Sequence, residues 1–284
     1  MAELTANRTF EERGETERIE IELLLEAVYR KYGYDYRDYS RASLRRRLRR
    51  RLGLDGWESF SQMQHRVLRD SDYFAGLLRD LSVSVTEMFR DPEVYAVLRR
   101  EVVPLLKTYP FVRIWHAGCC TGEEVYSMAI MLIEEGLYDR TRIYATDISD
   151  SVIAQAREGR IALEKVKDFT TNYHRAGGEE EFSDYYSVSG QYATIANEIK
   201  RNVVFSTHNL VTDGVFNEMN MVVCRNVLIY FNRRLQGRVL GLFARTLCRN
   251  GFLCLGTKET LEFAECRADF EPISLKNKVY RRIR

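Results

Sequence analysis

The chain has 284 residues, 45% of them hydrophobic and 30% charged, with a formal net charge of +2. That is enough apolar material for one large domain or two modest ones, and too balanced a charge for nucleic-acid binding by bulk electrostatics. No uninterrupted apolar run approaches the length of a membrane span, and the polar opening MAELTANRTFEERGETER lacks the apolar centre of a signal peptide.

The six cysteines, Cys119, Cys120, Cys224, Cys248, Cys254 and Cys266, form no CxxC pair and have no histidine at ligand spacing. No metal site is expected, and a cytoplasmic protein with reduced thiols is the default.

Residues 1–18 read as a polar tail. From 19 to 104 the pattern is helical. IEIELLLEAVYRKYG carries apolar residues at helical spacing and stops at Gly33, and SLRRRLRRRLG puts Leu44, Leu48 and Leu52 on one stripe before Gly53. WESFSQMQHRVLRD and DPEVYAVLRREVVPLL follow as helices, the second with Asp91 as N-cap and Pro92 at the first helical position. The remainder, 105–284, changes character. FVRIWHA, RIYATDI, NVVFS, MNMVVCRN and FLCLGT read as strands, separated by helical segments such as EEVYSMAIMLIEEG, SDSVIAQAREG and RRLQGRVLGLFARTLCRNG. That alternation predicts a parallel sheet with crossover helices. Between about 159 and 201 it breaks into a long polar stretch, read as an inserted element with short strands.

The first strand ends in the turn Gly118-Cys119-Cys120-Thr121-Gly122. It lacks both the dinucleotide fingerprint and the lysine of a P-loop, and a plain strand-to-helix turn is as good a reading of it alone. The second strand ends at Asp147, placed to accept hydrogen bonds from both hydroxyls of a ribose beside the first turn. Glu123 and Glu124 oppose phosphate. A nucleoside bearing a cationic, amine-containing group fits this charge pattern, and S-adenosylmethionine is such a molecule.

SVTEMFRDPEVY, WHAGCCTGEEVYSMAI, YATDIS, FSTHNL and CRNVLIYF occur in that order. Together they resemble the CheR family of chemotaxis-receptor methyltransferases, over nearly the whole chain from Ile19. The resemblance implies a Rossmann-like class I methyltransferase α/β sheet with an inserted small β-subdomain, preceded by a small all-helical domain. It implies transfer of methyl from S-adenosylmethionine to receptor glutamates, leaving S-adenosylhomocysteine. Thr86 and Arg90 match residues at the cofactor's methionine end and the active site, while Ser84 stands where the family has asparagine and Met88 where it has phenylalanine. Gly118 with Glu123 or Glu124 matches the glycine motif and the cofactor-binding acid. Asp147 matches the ribose acid, Asn209 and Leu210 the adenine contact, and Arg225, Asn226 and Tyr230 the segment lining the pocket. In some relatives the β-subdomain docks a receptor's C-terminal peptide; the acidic turn Glu179 to Glu181 speaks against the same peptide here.

A glutamate has a reference pKa of about 4.3, so it is already nucleophilic at neutral pH and needs no general base. The catalytic candidates are therefore Arg90, to orient the carboxylate through its fork, and Tyr230, to donate a hydrogen bond. The ordinary alternatives are a salt bridge from Arg90 to Asp91 or Glu93 and a core role for Tyr230. RNVL lacks the proline pair of amine methyltransferases, which disfavours base or amide N-methylation. The run RASLRRRLRRR holds seven arginines and no acid, and its like-charged i,i+4 pairs cost an isolated helix on the order of 1 kcal/mol. Aromatic residues do not alternate with the arginines as in single-strand nucleic-acid readers. A solvated face is the ordinary reading of the run; the resemblance implies instead that this helix faces the acidic methylation helix of a receptor, with Arg46, Arg49 and Arg50 binding the acidic helix of a receptor or signalling protein. The alternatives are a non-receptor protein substrate, or a signalling module that binds S-adenosylmethionine without catalysis.

Overall fold

The computed structural model describes the backbone of residues 2–81 and 86–284, with side chains from 14 onward within those ranges. It divides into two units, Met1–Val83 with Tyr230–Leu235, and Ser84–Ile229 with Gln236–Arg284.

The first unit holds α1 (Ala2–Tyr32), α2 (Arg41–Asp55), α3 (Phe60–Arg69) and α4 (Ser71–Leu81). Ile21, Leu24, Leu25 and Val28 recur at helical spacing on α1 and share one buried cluster with Leu44 and Leu48 of α2, Phe60, Met63 and Val67 of α3, and Phe74 and Leu77 of α4. Tyr32 stacks on Phe74 with ring centroids 3.8 Å apart. Three expectations change here. Residues read as a tail belong to α1, because the Glu and Arg that dominate them are good helix formers. Helix α2 runs past Gly53: Arg51 pairs with Asp55 one turn on at 2.7 Å, and the left-handed C-cap is Gly56 at φ 68°. Helix α4, absent from the sequence reading, forms on a single apolar face of Phe74, Leu77, Leu78 and Leu81.

The second unit opens with α5 (Pro92–Val97), a π-turn over Leu98–Val102 and α6 (Val103–Leu106). Pro104 cannot donate to the carbonyl four residues back, and the wider turn relieves that clash. The helical pattern of the sequence predicts a helical domain running to about 104. Instead Val94, Tyr95, Leu98, Val102 and Leu106 join the same buried cluster as Ile114, Ile130 and Ile143.

The sheet consists of β1 (Val112–Ala117), β2 (Thr141–Asp147), β6 (Val203–Thr207), β7 (Met219–Cys224), β8 (Leu247–Leu255), β9 (Phe270–Ser274) and β10 (Val279–Arg282), in the order β6-β2-β1-β7-β8-β10-β9. The first five strands of that order are parallel, and β10 pairs antiparallel with both β8 and β9. Every residue of β7 is buried, as a strand covered on both faces requires. Helices α7 (Glu123–Glu134), α8 (Asp150–Glu158) and α11 (Arg233–Thr246) make the crossovers. Leu247 to Asn250, read as the end of a helix, begin β8, and the last two strands had no sequence signal as clear as the parallel ones.

The insert forms a second sheet, β3 (Arg160–Ala162), β5 (Tyr192–Ile195) and β4 (Tyr186–Ser189) in the order β3-β5-β4, with α9 (Val166–Arg175) between β3 and β4 in the chain and the single turn α10 (Asn197–Lys200) after β5. Glu134 of α7 anchors it, accepting from Arg99, from Tyr173 and, at 2.8 Å, from Tyr185. Among the described residues, no helix is long and apolar enough to cross a membrane.

Candidate active site

Strand order reverses on either side of β1, with β2 on one flank and β7 on the other. The crevice at such a switch point is where open α/β sheets bind ligands. Gly118 leaves β1 at φ 79°, and a Cβ there would stand 2.5 Å from Val227 Cγ2, so only glycine fits. Cys120 is left-handed at φ 52° and Gly122 caps α7 at φ 94°. The amides of Gly118 and Cys119 donate to Thr146 O at 2.8 and 2.9 Å, Gly122 N to Cys119 O at 3.1 Å, and Cys120 N to Asp147 Oδ2 at 3.0 Å. A phosphate cradle needs free amides, and four of this turn's amides are engaged within the chain.

The turn is acidic, and its carboxylates differ. Burial pushes the Asp147 carboxyl up from its ordinary value, with the Cys120 and Ser149 amides pulling the other way. Burial also raises Glu123, which is 8% exposed and accepts from the Thr121 hydroxyl at 2.6 Å. Burial acts on Glu124 too, but Arg225 and His116 outweigh it and hold it below the usual range. Arg225 Nη1 donates to Glu124 Oε2 at 2.8 Å, and His116 Nδ1 lies 3.2 Å from Glu124 Oε1. Arg225 Nη2 donates to Asp91 Oδ2 at 2.7 Å and to the Arg90 carbonyl at 2.9 Å. One guanidinium thus faces two carboxylates. The expected cofactor residues Glu124 and Arg225 are brought onto each other.

Asp91 occupies the N-cap position before Pro92, as expected, but its side chain makes no capping bond. It is spent on Arg225. Phe89 and Asp91, flanking Arg90, both have positive φ, 52° and 54°. Each such residue costs about 1–2 kcal/mol and persists only where its surroundings hold it. Phe89 N is held by Ser127 Oγ at 2.8 Å. Glu93 pairs with Arg175 at 2.9 Å, so both acids weighed as partners of Arg90 are taken by other arginines. Among the described residues Arg90 has no ion pair.

Asn209 and Leu210 follow β6, both half-buried; Asn209 Oδ1 accepts from Val211 N at 2.9 Å. Asn226 follows β7 at φ 62°. Its turn rests on Glu259, a residue sequence reasoning missed. Glu259 is 4% exposed and accepts the amides of Gly256 at 2.6 Å, Val227 at 2.9 Å, Asn226 at 3.2 Å and Ile229 at 3.3 Å. Its place in GTKET gave a signal only if read against the Asn226 turn. Thr86 is half-buried, and Ser84 lies outside the described residues.

The remaining candidates belong to the helical unit. Tyr230 lies under Arg47, whose guanidinium carbon is 4.7 Å from the ring centroid. The arginine run is not left unpaired. Glu17 of α1 binds Arg45 at 2.7 Å and Arg49 at 2.6 Å, Glu22 lies 3.5 Å from Arg41, and Asp55 and Asp80 hold Arg51. Arg46 and Arg50 are exposed and have no acidic partner among the described residues. Arg49 is therefore shared with Glu17, unlike the other two candidates.

Comparison with known proteins agrees with this architecture. A family model described as CheR methyltransferase, SAM binding domain, matches residues 84–279, and one described as CheR methyltransferase, all-alpha domain, matches 19–82. The chain is 47% identical over 264 residues to the Pseudomonas putida protein named "Putative methyltransferase Cher3", covering 93% of this chain and 97% of that one. It is 26% identical over 236 residues to a chemotaxis protein methyltransferase of Listeria innocua, covering 82% and 87%, and 27% identical over 248 residues to one of Salmonella typhimurium, covering 83% and 82%. With the sheet reversing at an acidic glycine turn and both family models matched in order, the chain belongs to the CheR methyltransferase family.

Proposed function

We propose that this S-adenosylmethionine-dependent methyltransferase forms methyl esters on glutamate side chains, on an acidic helix of a chemoreceptor or related signalling protein in the cytoplasm. The observation that carries the reading is Arg90, left without an ion pair among the described residues because Arg225 and Arg175 occupy its neighbouring acids. A half-buried arginine between two left-handed residues, with no ion pair among the described residues, is suited to receive a substrate carboxylate.

The residues present fit the cofactor. S-adenosylmethionine supplies the methyl group and carries positive charge on its sulfonium and ammonium. Asp147 would hold the ribose hydroxyls, and Asn209 with Leu210 the adenine. Glu124, kept ionised by Arg225, would attract the ammonium, while Glu123 shapes the turn through Thr121. Thr86 and Ser84 would meet the methionine end. Gly118 and Asn226 line the crevice. The chain's own task is then alignment and partial desolvation of a carboxylate that is already nucleophilic. Arg90 orients it, Tyr230 donates a hydrogen bond, and Arg46, Arg49 and Arg50 draw in the acidic helix that bears it.

The test is transfer of labelled methyl to chemoreceptor-bearing membranes, followed by mass-spectrometric mapping of the modified residue. Methylated glutamate is expected. Label on a lysine, arginine or amide nitrogen would overturn the assignment.

A further inference from the structure

We propose that Arg225 is a positioning residue for Arg90 rather than a ligand of the cofactor. Its side chain is 2% exposed, and three donors are spent inside the protein, on Glu124 Oε2, Asp91 Oδ2 and the Arg90 carbonyl. The Nε is buried without a partner among the described residues. Little of the group is left to offer a ligand.

Two consequences for Arg90 follow from the same bonds. First, one nitrogen, Nη2, grips both the carbonyl of Arg90 and the carboxylate of Asp91, and so holds the segment in which Phe89 and Asp91 have positive φ. The direction in which Arg90 projects depends on that backbone. Second, Asp91 is kept from pairing with Arg90. A free carboxylate one residue away would compete with the substrate's carboxylate for the same fork. Glu124 completes the arrangement by balancing the buried charge of Arg225 from the α7 side. Residues far apart in sequence thus act on Arg90 through its own carbonyl and through Asp91 beside it.

The inference rests on the reading of Arg90 given above, and one series of variants separates the two. Arg225→Lys keeps the charge beside Glu124 but loses the fork. It is expected to lower kcat at saturating protein substrate by about tenfold or more, with calorimetric affinity for S-adenosylhomocysteine within about threefold of wild type. Adding Asp91→Asn to it should recover several-fold of the lost kcat, because the freed group can no longer capture Arg90 as an anion. A residue that merely supports the fold would show no such recovery. Asp91→Ala alone, which leaves the pair of Arg225 and Glu124 intact, should also lower kcat with cofactor affinity kept; it carries the test if Arg225→Lys does not fold. Cofactor affinity falling in step with kcat, or no recovery in the double variant, would overturn the positioning role. In the same series, unchanged kcat in Arg90→Ala would overturn the reading of Arg90 itself. Loss there with unchanged kcat in Arg225→Lys would overturn only the role of Arg225.

Discussion

The carboxylate of Asp147 accepts the backbone amide of Cys120 at 3.0 Å, which ties the end of β2 to the left-handed centre of the turn after β1. The acid proposed to hold the ribose and the turn beside it are therefore one structure. Asp147→Ala should weaken binding of S-adenosylhomocysteine by about 1.5–3 kcal/mol, roughly 10- to 150-fold. Asp147→Asn, which keeps one acceptor, should fall between it and wild type. Calorimetry decides this, and unchanged affinity in a folded Ala variant would remove the ribose role.

Glu259 carries a different expectation, on stability. Four amides share its two oxygens in a nearly closed environment. Glu259→Ala leaves them without that acceptor and should cost about 2–4 kcal/mol in urea unfolding, with Glu259→Gln costing less. A loss below about 0.5 kcal/mol would mean that water replaces the carboxylate without penalty.

The arginine helix should act on encounter. Arg46→Gln with Arg50→Gln should raise KM for the protein substrate and leave kcat and cofactor affinity as they were. The wild-type rate at low substrate should fall as salt rises, since the Debye length shrinks from about 10 Å at 0.1 M to about 3 Å at 1 M, and the double variant should respond less. Arg49→Gln should change KM less, because Glu17 already shares its charge. Lower kcat with unchanged KM in the double variant would contradict steering.

The same pairing predicts a pH dependence. Hydrogen bonds from Arg45 and Arg49 lower the Glu17 carboxyl from 4.5 to about 2. The unfolded chain takes up the proton first as pH falls, so the stability contributed by Glu17 is complete above about 4.5 and is lost on the way down to about 2. Being near the surface, it should amount to about 1 kcal/mol at most. Thermal unfolding of Glu17→Gln and wild type should differ at pH 6 and converge as pH approaches 2; a constant difference would contradict the assignment.

What was legible in the sequence was local. Gly118 through Glu124 and Asp147 could be read because a glycine turn and an acid at the next strand's end keep fixed places in a doubly wound sheet. The buried parallel strands announced themselves as apolar runs. The partnerships of Arg225 were not legible, since Asp91 and Glu124 come to it only through the fold. Nor could the run of arginines show that Glu17 and Glu22, on another helix, relieve its repulsion. Helix α2 passing Gly53 depended on the pair of Arg51 and Asp55. Glu259 was not legible because its partners, the amides of Asn226, Val227 and Ile229, come to it only through the fold.

The product is expected to be a carboxyl methyl ester, made with the help of Arg90. Labelled methyl should be transferred from S-adenosylmethionine to chemoreceptor-bearing membranes and then released as methanol by mild base, with Arg90→Ala lowering the initial rate at saturating substrate by at least about tenfold. Label that survives mild base, or an unchanged rate in a folded Arg90→Ala variant, would contradict the account.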